Sequence, residues 1–166
     1  MHPTITAWVE ADRGLDLSAM AGCLAPDAVL ISPLTDAFAF NGADEVIKVF
    51  ESAFELLRDI EIHAVTGANN DWVVHGTNTL NGHNLEEIQW LHLNDDGLID
   101  RVTLFIRPLP AALDLLAQIG VPMAKRGLFD RKGAIASTAA RPLAAALRAV
   151  EAIVMPQLRK ISPRRG

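Results

Sequence analysis

Between Ile60 and Pro108 the sequence leaves no room for a helix. Four apolar runs, IEIHAVTG, DWVVHGTNTL, LEEIQWLHL and LIDRVTLFIRPL, follow one another with only GANN, NGHN and NDDG between them. The runs are rich in β-branched and aromatic residues, and the connectors are built from Gly, Asn and Asp, which tolerate positive φ in tight turns. Connections this short join antiparallel neighbours, so the segment is predicted to form a four-strand meander. A sheet with one apolar face needs a second layer to cover it.

The N-terminal part supplies that layer. Ile5, Trp8 and Val9 form an apolar stripe at helical spacing, and LSAMAGCLAPDA gives a short second helix with Ser18 as its N-cap. AVLISPLTDAFAFNG reads as a hairpin or strand–loop–strand interrupted by Pro33. ADEVIKVFESAFELLRD places Val46, Val49, Phe50, Ala53, Phe54 and Leu57 on one face of a four-turn helix that starts near Asp44. Helices in front and a meander behind predict an α+β fold, with helices packed on one face of a curved antiparallel sheet.

After Pro108 the pattern changes, which divides the chain into a domain of residues 1–110 and a helical, basic C-terminal extension of residues 111–166. PAALDLLAQIG is expected to be a short helix stopped by Gly120 and Pro122, and KRGLFDRKG a basic loop. RPLAAALRAVEAIVMPQLRKI is expected to be one longer helix. Its stripe of Leu143, Leu147, Val150, Val154 and Leu158 would dock on the domain or on a partner subunit, and SPRRG reads as a frayed end. Charge follows the same division. Residues 1–119 hold 18 acidic and 5 basic side chains, whereas residues 120–166 hold 2 acidic and 10 basic. The balances of −13 and +8 suggest a tail folded back on an acidic body, or one that seeks an anionic partner.

Composition excludes several classes. Half of the residues are hydrophobic, enough for an ordinary core. No apolar run approaches the roughly 18–20 residues of a membrane helix, and the start, MHPTITAWVEADRGLD, lacks a leader pattern, so the expectation is a cytoplasmic protein without a membrane span. One cysteine, Cys23, excludes an internal disulfide, and His2, His63, His75, His83 and His92 have no metal-like spacing, so no metal or cofactor is expected. No GxGxxG, GxxxxGK[ST], GxSxG, HExxH or EF-hand loop is present, and no nucleic-acid partner is expected.

The stretches LDLSAMAGCLAPDAVLISPL, FNGADEVIKVFESAF and LHLNDDGLIDRVTLFIRPL, in this order, make residues 1–108 similar to the nuclear transport factor 2-like superfamily. The resemblance is to its branch of SnoaL-like polyketide cyclases and ketosteroid isomerases. It implies a cystatin-like cone with an apolar pocket at its mouth and, frequently, a dimer through the outer face of the sheet. It also implies three working polar positions, which fall here on Trp8, Ser32 and Gln89. The isomerases' tyrosine, aspartate and aspartic acid are absent from all three, and the chain has no tyrosine, so a steroid isomerase is not expected. The superfamily's epoxide hydrolases need an Asp–Arg–Asp network that the inward residues do not supply.

Strand alternation then assigns faces. Gln89, Glu87 and Leu91 share the pocket face with Val102, Leu104 and Ile106, while Ile88, Trp90 and His92 take the outer one. An even-length NGHN turn adds Asn78, Gly76 and Val74, and an even-length GANN turn adds His63 and Glu61; a bulge would exchange these faces. Gln89 is the candidate to polarise a ligand oxygen, with His63 or a buried Glu87 moving the proton. Trp8, Ser32, Phe54, Asn78, Leu91, Val102, Leu104 and Ile106 are the candidate pocket. Blander roles stand beside these: Gln89 bonded to a backbone carbonyl, His63 structural or on the surface, Glu87 paired with Arg101 or Arg107. Ile88 and Trp90 suit a homodimer interface.

The expected function is a SnoaL-like enzyme performing proton-transfer chemistry of the isomerase or cyclase type on a small hydrophobic polycyclic or terpenoid ligand. The alternatives are a binding protein that uses the same cone without catalysis, and an interaction module working through KRGLFDRKG and RKISPRRG.

Overall fold

The computed structural model of the chain describes residues 1–161. Helices α1 (Pro3–Gly14) and α2 (Leu17–Cys23) lead into β1 (Leu24–Ile31) and the short β2 (Phe40–Asn41). Then come α3 (Ala43–Leu56) and the meander β3 (Arg58–Ala68), β4 (Asp71–Leu80), β5 (His83–Leu93) and β6 (Ile99–Arg107). Helices α4 (Leu109–Lys125), α5 (Arg131–Thr138), α6 (Arg141–Ile153) and α7 (Met155–Ile161) complete the described chain. SPRRG lies outside the described residues, as do the side chains of the basic segment from residue 159 onward. Among the described residues no helix is long and apolar enough to cross a membrane.

The six strands form one curved sheet in the order β2-β1-β6-β5-β4-β3. The meander pairs antiparallel throughout, and the single parallel contact joins β1 to β6. Asn81 and Gly82 both adopt positive φ between the paired Leu80 and His83, the geometry of a two-residue type I′ turn. In the NDDG turn, Asn94 Oδ1 accepts hydrogen bonds from the backbone of Asp96 and Leu98. The core lies between the concave face and the helices, where Trp8 and Phe50 meet edge to face at 5.2 Å.

The bulges in β3 matter most for the site. Register shifts between Ile62 and Ala64, so the residues after His63 pair one step out from those before it. Gly76 is the residue that permits this approach: a Cβ there would lie 2.8 Å from the carbonyl oxygen of Glu61.

Several local expectations are corrected. Asp16, not Ser18, caps α2, accepting from the Ala19 amide at 2.9 Å. Helix α4 does not stop at Gly120 and Pro122 but runs through both to Lys125. Burial of one face against α3, α5 and the sheet outweighs the weak helix propensity of those residues. Gly120 is a packing notch, since a Cβ there would collide with Ser137 Oγ. Part of the expected basic loop is helical, as α5. The expected last helix is broken at Val154, where Pro156 removes an amide donor. Its apolar stripe does not dock on the domain: Leu143 and Leu158 are more than half exposed, and α6 meets α4 through buried Ala144 and the Arg148–Asp114 ion pair.

Replacing Gly120 by valine should push α5 away from α4 and lower stability by about 2 kcal/mol, the usual scale of overpacking. Thermal unfolding of Gly120→Val and of Gly120→Val with Ser137→Gly measures this, and the second substitution should recover part of the loss.

Candidate functional site

Helices α1, α3 and α4 close over the concave face around a cavity whose free volume, open mouth included, is about 640 Å³. Its wall is largely apolar. Val49, Phe50 and Phe54 come from α3, Leu104 and Ile106 from β6, and Leu115, Ile119 and Met123 from α4. Four polar side chains reach it: Asp12, Ser32, Asn78 and Glu87. Strand register explains two of them. Gly76 lies opposite Glu87 and Val74 opposite Gln89, so Asn78, Gly76 and Val74 share the concave face with the polar residues of β5.

Behind the cavity lies a chain of hydrogen bonds. Trp8 Nε1 donates to Gln89 Oε1 at 2.7 Å. Gln89 Nε2 donates to Asp12 Oδ2 at 2.9 Å and to Glu87 Oε1 at 2.9 Å. An indole N–H can only donate, so it must face the amide oxygen, and the amide nitrogen must then face the two carboxyl groups. Both amide hydrogens of Gln89 are occupied, which leaves none for a ligand oxygen.

Burial shapes the chemistry of the two acids. Glu87 is pushed from its ordinary 4.5 up to about 7, first by removal from solvent, then by the neighbouring charge of Asp12, against the hydrogen bonds from Gln89 and Asn78. Its remaining exposed surface lines the cavity. Asp12 is buried to 3% exposure, and burial raises its carboxyl too, opposed by the bond from Gln89. Two neighbouring acids with one bridging donor titrate as a unit, and the unit can hold a proton near neutral pH.

His63 is corrected by the bulge at its own position. It faces the outer side of the sheet, exposed, with Nε2 2.6 Å from Thr77 Oγ1 and its ring 5.6 Å from that of His75. Ile60 and Ile62 take the inward places. Glu61 is exposed as well. Ser32, Phe54, Asn78, Leu104 and Ile106 line the cavity, whereas Trp8, Leu91 and Val102 are fully buried beneath it. Ser32 Oγ accepts from the Leu34 amide at 3.1 Å. Glu87 pairs with neither arginine: Arg107 bonds Glu86, which also bonds His75. Asp12 is the residue that sequence reasoning missed. It falls four residues after Trp8 and seven after Ile5, on the same stripe, and that spacing was the signal. Among the described residues no three His, Cys, Asp or Glu side chains converge to hold a metal ion.

An uncharacterized bacterial protein with a cystatin-like fold from Silicibacter pomeroyi superposes with a TM-score of 0.68 at 22% identity, over 80% of this chain and 90% of that one. A steroid delta-isomerase from Pseudomonas aeruginosa gives 0.65 at 23% identity, over 74% and 88%. An NTF2-like protein of unknown function from Cytophaga hutchinsonii gives 0.53 at 16%, over 64% and 89%. At these identities the likeness establishes the fold, not the activity. No curated protein matches the sequence. The family model for the SnoaL-like domain matches residues 5–102, well over half of the chain, and the protein belongs to the SnoaL-like domain family.

Proposed function

We propose that the protein is a proton-transfer enzyme for a small, apolar, carbonyl-bearing ligand, with Glu87 as the proton carrier. The observation that carries this reading is the Asp12–Gln89–Glu87 cluster at the polar end of an apolar cavity. A group that titrates near 7 can both accept and return a proton at neutral pH. Ionised Glu87 takes a proton from the carbon beside the ligand carbonyl, and the electron pair moves onto the carbonyl oxygen. In the singly protonated pair, with the shared proton on Asp12, that acid donates a hydrogen bond to the oxygen. Protonated Glu87 then returns the proton to the same α-carbon or, where the ligand carries a β,γ-double bond, to the γ-carbon of the dienolate, which shifts that bond into conjugation. Gln89 is a positioning residue that sets the two acids, and Trp8 sets Gln89. The working unit is the domain of residues 1–110 together with α4, because α4 forms one wall of the cavity.

On this reading kcat/KM is bell-shaped in pH, rising as the acid pair gives up its first proton and falling above about 7 as it gives up the second. Glu87→Gln should lower kcat on an enolisable apolar ketone by about 10²-fold or more while ligand affinity changes little. Full turnover in Glu87→Gln rules the assignment out. A wild-type protein that binds such ketones without exchanging their α-protons is a carrier.

The same acid makes stability depend on pH. Glu87 holds its proton more tightly folded than unfolded, so its contribution is complete below pH 4.5 and is lost as pH rises to about 7. The loss is of the order of 3 kcal/mol at 1.36 kcal/mol per pH unit. Denaturant titrations across that window should show wild-type stability falling relative to Glu87→Gln, and parallel curves for the two proteins contradict the assignment.

The outer sheet face is proposed to pair with a second copy. Ile88, Trp90 and Phe105 stand 37%, 43% and 51% exposed there, with Ile88 directly opposite Phe105. Sedimentation should find a wild-type dimer and a Trp90→Glu monomer. A dimer that survives that substitution places the interface elsewhere.

A further inference from the structure

Helix α4 lies outside residues 5–102, yet it forms part of the cavity wall. Leu115, Ile119 and Met123 recur at i, i+4 and i+8, and each is 4–5% exposed. The helix passes over the β4–β5 turn, where Asn81 Nδ2 donates to Gln118 Oε1 at 3.1 Å. Along β5, Glu87 stands two residues and Gln89 four residues beyond Leu85, the partner of Asn78. The cavity therefore runs from the α4 end of the strands toward the acid pair. Both ends of the helix's grip are specific. Lys125 and Arg126 pair with Glu55 at 2.9 and 3.0 Å, Arg126 also meets Glu51 at 2.9 Å, and Gly120 seats Ser137 of α5.

We infer that α4 is the specificity wall of this cavity: Leu115, Ile119 and Met123 set the greatest length of an uncharged apolar ligand whose polar end lies against Asp12, Asn78 and Glu87. The inference rests on the proposed ligand site but not on the proton-transfer step. Uncharged ligands follow from the lining, which among the described residues includes two acids and no Lys, Arg or His. A carboxylate at that end meets like charge with no cation to offset it. Asn78 adds a directional contact. Its side chain is 5% exposed, its amide nitrogen serves Glu87, and its Oδ1 has no hydrogen-bond partner among the described residues. A hydroxyl on the ligand would satisfy it.

Straight-chain methyl ketones of increasing length test this by calorimetric titration of the full chain, with fatty-acid carboxylates of matched length as the charged series. Wild-type affinity should rise about fourfold per added methylene and then fall abruptly at a limiting length. Ile119→Ala should move that limit to longer ketones and Ile119→Phe to shorter ones. A loosened helix would shift both variants the same way, so opposite shifts identify the wall. An unchanged limit in both variants, equal binding of the carboxylates at alkaline pH, or no ketone binding by the wild type overturns the inference. Glu87→Gln separates the two readings. It should keep the length limit even where turnover is lost, and a limit that holds while Glu87→Gln turns over normally removes the proton-transfer assignment alone.

Discussion

The indole N–H of Trp8 can donate and cannot accept, so its 2.7 Å contact with Gln89 admits one orientation of the amide. The placement of both acids in the cavity follows from that orientation. The amide nitrogen must point at Asp12 and Glu87, and its two hydrogens hold one oxygen of each acid in place. Trp8 is itself fixed by full burial and by Phe50, edge to face at 5.2 Å. The packing of α1 on α3 is thereby converted into the geometry of two carboxyl groups on different elements. A fully buried residue thus controls how two carboxyl groups at the cavity stand.

Burying two acids side by side opposes folding, and the surrounding structure has to offset it. Apolar packing does most of this. The inward faces of α1, α3, α4 and the sheet form one continuous cluster, within which Leu115, Ile119 and Met123 add buried aliphatic surface from the C-terminal part. Ion pairs do less. Lys125 and Arg126 reach Glu51 and Glu55, which answers part of the charge asymmetry within the chain, but these pairs are partly exposed and each contributes little to stability. Their value is positional: they fix the rotation of α4, and that rotation decides which of its side chains face the cavity.

The meander, its turns and the long helix α3 were legible because their signals are local. Asn81–Gly82 states its turn in two residues, and alternation carries the concave face from Gln89 to Asn78 without a gap. His63 was not placed correctly because one extra residue in β3 exchanges faces, and a bulge has no signal in the alternation itself. The glycine at 76, inside a strand, marked the close approach on the partner strand instead. Asp12 shared a stripe with Trp8, but a carboxylate on an apolar helix face looks unfavourable until its donor, 77 residues away, is in view. Gly120 and Pro122 read as helix stops because propensity is local, whereas the burial that overrides it comes from α3, α5 and the sheet.

On the proposed reading, ligand binding and protonation are coupled by the cavity itself. A ligand that fills the space above Glu87 removes solvation from the charged form and drives the carboxyl further upward. If nothing opposed this, the acid would keep its proton throughout and could no longer act as a base. The bonds from Gln89 and Asn78 favour the charged form and pull in the other direction. They strengthen as the surroundings become drier, because the same loss of water that penalises the charge also raises the worth of a hydrogen bond to it. The donors that fix the position of Glu87 therefore also limit how far burial can raise its proton affinity.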